Sequence, residues 1–220
     1  MASQNADAKA VRGKRRKTIR RKRASRKTHK RGGGVIGKGI SGTVYYPALQ
    51  CRDPSQTPKS DKYVSKVSLT ASAKKEFEAT NAIRQLKQSS EFAIVPEHMC
   101  EYSDTHSLLF SKYGGYTLVK YHAYLERLAY TTADASDFDD AYYQNVIKAL
   151  RKLKDKVKYM NDNTIYQGDI SFDNVVYTES EATAYLIDFE RGGKKADETI
   201  FVQDLIDELE RMKKKIDSRK

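Results

Sequence analysis

The sequence predicts a two-lobed α+β body preceded by a disordered basic arm. Runs rich in β-formers fill the first half of the body, and helical periodicity fills the second. Positive charge is concentrated in the first 31 residues. Hydrophobic residues make up 39% of the 220, enough to pack one domain. No run approaches the ~18–20 apolar residues of a membrane span. No apolar stretch near the start resembles a secretory signal. Cys51 and Cys100 are the only cysteines; two cannot build a disulfide framework and they lack metal spacing, so a reducing compartment is the default.

The net charge of +12 resolves into two unlike parts. Residues 1–31 hold 14 Lys/Arg against one acid, Asp7, which leaves 27 basic and 28 acidic residues for positions 32–220. With only Val11 and Ile19 to bury beyond a few alanines, the arm cannot offset its ordering entropy. Gly32-Gly33-Gly34 reads as a flexible joint, so residues 1–34 form the arm and 35–220 the body.

Element by element, Val35-Ile36 and Thr43–Tyr46 around a glycine-rich turn predict a hairpin. The Pro/Ser/Asp-rich residues 50–62 predict a loop. Tyr63–Leu69 alternates as a strand. Ser72 is the expected N-cap of a helix from Ala73 to about Lys87. Glu97–Tyr102 and Ser107–Phe110 predict strands before the Gly114-Gly115 break. Val146, Leu150, Leu153, Val157 and Met160 keep helical spacing, which places a helix over 139–161. Val175–Tyr177 and Ala184–Ile187 predict short strands, and Val202 through Ile216 a last amphipathic helix.

Chemistry concentrates in three places. Gly37, Gly39, Gly42 and Val44 fit G-x-G-x-x-G-x-V; a strand follows the glycines, whereas a dinucleotide fold requires a helix there. Lys66 sits mid-strand, where its cation can serve α/β-phosphates if a helix glutamate holds it. Glu78 or Glu76 can do so, and Glu78 is favoured because Ala82 and Ile83 place it on the packed side. Asp169, Asn174 and Asp188 stand in QGDISFDN and LIDFE. Phosphoryl transfer needs one carboxylate to orient a hydroxyl and oxygen ligands for Mg²⁺, which assigns Asp169 the first task and Asn174 and Asp188 the second.

These pieces, in this order over residues 35–206, resemble the protein kinase superfamily, and more narrowly the small kinase-like proteins of large DNA viruses. The basic arm running into GGGVIGKGISGTVYYPAL and then DKYVSKV is similar to theirs. The resemblance implies a kinase-like fold with an N-lobe over about 35–110, a hinge near 111–115 and a minimal C-lobe over about 116–220. It implies ATP and Mg²⁺ as cofactors and a protein serine or threonine as acceptor. It also implies an intracellular location in a host cell, cytoplasmic or nuclear, and a place in the virion. Asp204 in FVQDL looks like the buried aspartate that braces the catalytic loop of such proteins.

The departures are specific. Gln167-Gly168 replace His-Arg, which removes the arginine that reads an activation-loop phosphate; Ser171 replaces a lysine, and Glu190 replaces a glycine. Hardly any activation segment lies between Phe189 and Phe201. The competing readings are a pseudokinase and a virion scaffold whose arm binds nucleic acid. With no activation segment, the easiest acceptors are tethered ones, Thr18, Ser25 and Thr28.

The arm carries its own expectation. If roughly eight to ten cations among residues 9–31 meet phosphates, log affinity for duplex DNA falls against log salt with a slope of about −7 to −9. Scrambled duplexes bind equally, and deleting residues 1–31 abolishes binding. A truncated chain that binds DNA as tightly as the full one rejects the assignment.

Overall fold

Strand alternation sets the architecture. The computed structural model describes residues 33–131, 133–189 and 196–219. The basic arm with Thr18, Ser25 and Thr28, and the predicted departure at Glu190, lie outside the described residues. β1 (Gly34–Gly39) and β2 (Gly42–Tyr46) form the glycine hairpin. β3 (Tyr63–Leu69) pairs with β2 on one side and, along its whole length, with β5 (His106–Lys112) on the other; β4 (His98–Glu101) completes an antiparallel sheet of order β1-β2-β3-β5-β4.

Side chains two apart share a sheet face. Val44 is opposite Lys66, Lys66 opposite Leu109, and Val64 opposite Ser111, so these five share one face. Tyr45, Tyr63, Val67, Leu108 and Phe110 take the other, where they pack with Leu49, Cys51 and Cys100. The two cysteines, read above as reduced, form a disulfide across 49 residues with their Cα atoms 5.9 Å apart. Arg52 N–H donates to Glu101 O at 2.7 Å, which holds the loop after β2 against β4 and makes the pairing possible.

The helix after β3 differs from expectation. It starts at Thr70, directly from the strand, with no side-chain cap at Leu69, and it breaks at Thr80 into α1 (Thr70–Ala79) and α2 (Asn81–Gln85). Thr70 N–H donates to Thr105 O at 3.0 Å, so contact with the turn before β5, not Ser72, sets the start. Arg84 secures the break by donating to Phe77 O at 2.9 Å and Thr80 Oγ1 at 2.8 Å.

Beyond Gly114-Gly115 the chain enters a second antiparallel sheet, β6 (Tyr116–Thr117), β7 (Val175–Thr178) and β8 (Thr183–Leu186), in the order β6-β7-β8. α3 (Leu118–Tyr130) packs against β6 and β7, α4 (Asp140–Asp162) on β8, and α5 (Thr199–Asp217) against α3 and α4. Asp139 caps α4, its carboxylate accepting the Tyr142 N–H at 2.9 Å. Val146, Leu150, Leu153, Val157 and Met160 are buried against α5 residues Val202, Leu205, Leu209 and Met212 in one core. The outward face of α5 is charged (Asp204, Asp207, Arg211, Lys214, Lys215) apart from exposed Ile200 and Phe201. The result is a mixed α+β fold. No helix among the described residues is long and apolar enough to cross a membrane.

Candidate functional site

A cleft of about 220 Å³ opens beneath the glycine hairpin. It is lined by Gly37, Gly39, Gly42, Val44, Lys66 and Asp188 from the predicted set, and by Glu76, Ile94, Leu109 and Tyr113 among others. The hairpin glycines divide by role. Gly42 has φ 156°, and a Cβ there would lie 2.3 Å from Val67 O, so close approach to β3 requires it. A Cβ on Gly39 would meet nothing within 4 Å, and one on Gly37 only Val44 at 3.7 Å. Open space therefore lies beside Gly39, and at Gly37 only Val44 is near.

Lys66 is positioned from both sides by the sheet, and its Nζ lies 2.8 Å from Glu76 Oε2 and 3.5 Å from Asp188 Oδ1. The partner is thus Glu76, and the expectation of Glu78 is corrected. With α1 starting at Thr70, Ala73, Glu76 and Thr80 form the buried stripe and Glu78 points to solvent. Ala82 and Ile83 belong to α2, beyond the break, so they say nothing about the face of Glu78. Glu76→Gln is accordingly expected to lose about 1–3 kcal/mol in urea unfolding, and Glu78→Gln less than about 0.5. Equal losses would reject the pairing.

Asp169 and Asn174 stand on the loop before β7. The Asn174 side chain donates to Asp169 O at 2.8 Å, and Asn174 O accepts Ile187 N–H at 3.0 Å. That second bond joins this loop to the one bearing Asp188, whose φ of 56° is left-handed. Val119 N–H donates to Phe172 O at 2.9 Å, and His122 lies against the Phe172 ring at 4.4 Å, so α3 supports the loop from its other side.

Two residues hold the loop from within, Glu198, which the sequence did not single out, and Gln167, read there only as a departure. Glu198 is buried just before α5, and its carboxylate accepts the N–H groups of Gln167 at 2.9 Å and Gly168 at 2.6 Å. Asp204, expected to brace this loop, is exposed. Val202, Leu205 and Ile206 turn the core face of α5 away from it, and the helix meets the loop at its start. Gln167 is fully buried; its Nε2 donates to Ile187 O and Asp188 O, both at 2.9 Å, and its Oε1 accepts Asp169 N–H at 2.5 Å.

At the far end of the cleft, burial and the neighbouring Tyr116 hydroxyl push the Tyr113 phenol up to about 12, so it stays neutral and able to donate. Gly114 and Gly115 carry the chain between the sheets where side chains do not fit: a Cβ would lie 2.0 Å from Ile94 Cδ1 and 2.4 Å from Tyr177 O respectively.

Among the described residues no three His, Cys, Asp or Glu converge as a cation cage. Mg²⁺ arriving with phosphates needs only one or two protein carboxylates; of the predicted metal pair Asp188 lines the cleft and Asn174 does not. No protein-family model and no curated protein matches this chain.

Proposed function

We propose that the protein is an ATP–Mg²⁺-dependent phosphotransferase of two-lobed, kinase-like build, acting on a protein serine or threonine hydroxyl. The observation that carries this reading is Lys66 in the cleft, held between Glu76 and Asp188 beneath an open glycine hairpin. Its cation is placed where phosphate oxygens would enter from the hairpin side. Asp188 and Asn174 would hold Mg²⁺, which lowers the charge on the phosphates. Asp169 orients the acceptor hydroxyl and takes its proton.

Val44, Val64, Leu109, Val176 and Ile187 give the cleft apolar walls that suit a flat base, and Tyr113 lines it with them. Ser111 from β5 also lines the cleft.

Thermal denaturation tests this directly. ATP alone is expected to raise the melting temperature slightly, and ATP with Mg²⁺ more, by ligand linkage. Asp188→Asn removes the Mg²⁺-dependent part. Folded protein indifferent to both would sink the reading.

A further inference from the structure

We infer that Gln167 is the positioning residue that locks the loop of Asp169 to the loop of Asp188; the inference rests on the phosphotransferase reading for its catalytic meaning, not for its geometry. One side chain spans both loops. Its amide nitrogen uses its two hydrogens on Ile187 O and Asp188 O, and its oxygen takes the Asp169 N–H. The three partners fix the orientation of the amide, because reversing it would set an oxygen against two carbonyls and an NH₂ against an N–H.

The choice of residue matters chemically. A primary amide presents two donors and an acceptor at once and does not titrate. A neutral imidazole offers one donor and one acceptor, and a charged one no acceptor at all. Gln167 also holds Asp188 in its left-handed backbone conformation from the carbonyl side, while Asn174 O holds the adjoining Ile187 N–H. The carboxylate that lies 3.5 Å from Lys66 Nζ is thereby set by a side chain that does not line the cleft. Glu198 anchors the backbone of Gln167 itself, so the amide projects from a fixed base.

The charged groups around this position are Glu198, Asp169, Asp188 and, beyond Asp188, Lys66. A glutamate in place of Gln167 would face two carbonyls with an oxygen, and only its protonated form could donate to them. Burial beside those carbonyls raises such a carboxyl above its usual value of about 4.3.

Backbone amide exchange on the full chain without nucleotide, at about pH 5 and about pH 8, reads the lock, with intrinsic rates corrected. In the wild type, protection of residues 168–169 and 187–189 is expected to be the same at both. Gln167→Leu lowers it about tenfold in both loops at either pH, while α4 and α5 keep theirs. Gln167→Glu shows the same loss at the higher pH and recovers several-fold at the lower. Unchanged protection in Gln167→Leu overturns the inference. If that variant loses protection throughout, the near-isosteric Gln167→Met decides, and unchanged protection of both loops there overturns it. The same wild-type sample is melted with Mg²⁺–ATP: no shift there overturns the phosphotransferase reading, while the exchange result still decides whether Gln167 joins the two loops.

Discussion

Replacing Asp169 by asparagine is expected to cut turnover by about 10²–10⁴-fold while leaving Mg²⁺–ATP affinity within about twofold. The backbone of Asp169 is held at both ends, its N–H by Gln167 Oε1 at 2.5 Å and its carbonyl by Asn174 Nδ2 at 2.8 Å. Asparagine keeps the shape and those main-chain bonds but cannot accept a proton from a hydroxyl. Asp169 does not line the cleft, so nucleotide contacts should survive. Titration calorimetry and steady-state phosphate transfer on the same preparation separate the two effects. Parallel loss of affinity and turnover would make Asp169 structural, and undiminished turnover would reject its role.

Glu198→Ala is expected to destabilise the fold by roughly 2–4 kcal/mol, about 1–3 for the buried Gln167 N–H left unmade and about 1 for the part-buried Gly168 N–H. For a body of this size the melting temperature falls on the order of 10 °C. Few single changes outside the apolar core should cost as much. Glu198 is 1% exposed, so water has little access to replace the lost acceptor. Glu198→Gln keeps one acceptor of similar shape and should recover about half the loss. Asp204→Ala, on the exposed face of α5, should lie within about 0.5 kcal/mol of wild type. Urea unfolding with unchanged m-values checks all three, and equal effects at positions 198 and 204 would refute the bracing role of Glu198.

Much of the fold was legible because period-2 and period-3.6 patterns are local. The strand Tyr63–Leu69 coincides with β3, and the spacing from Val146 to Met160 locates α4 within a residue or two at each end. The carboxylates and glycines of the candidate site stood out because few residue types suit such positions. Other features were hidden for particular reasons. Which glutamate meets Lys66 depends on helix phase, and the phase follows from a start at Thr70 that a contact with Thr105 helps to set. Glu198 lies just before α5, with no periodic partner to mark it as buried. Gln167 looked like a mere departure at its position, because its three partners come from two loops.

The sequence by itself determined the segregation of charge into residues 1–31 and the order of the strands and helices apart from β6 and α3, and it singled out the glycines and carboxylates of the candidate site. These follow from composition and short-range periodicity, which need no knowledge of what lies across the fold. Only the tertiary structure decided that Glu76 rather than Glu78 reaches Lys66, that Glu198 rather than Asp204 holds the loop, and that Cys51 meets Cys100. The physical reason is common to all three. Each is a pairing of groups far apart in the chain or sensitive to a single residue of helical phase. One residue turns a helix by about 100°. Two such steps, about 200°, separate buried Glu76 from exposed Glu78, and contacts with other elements set the phase.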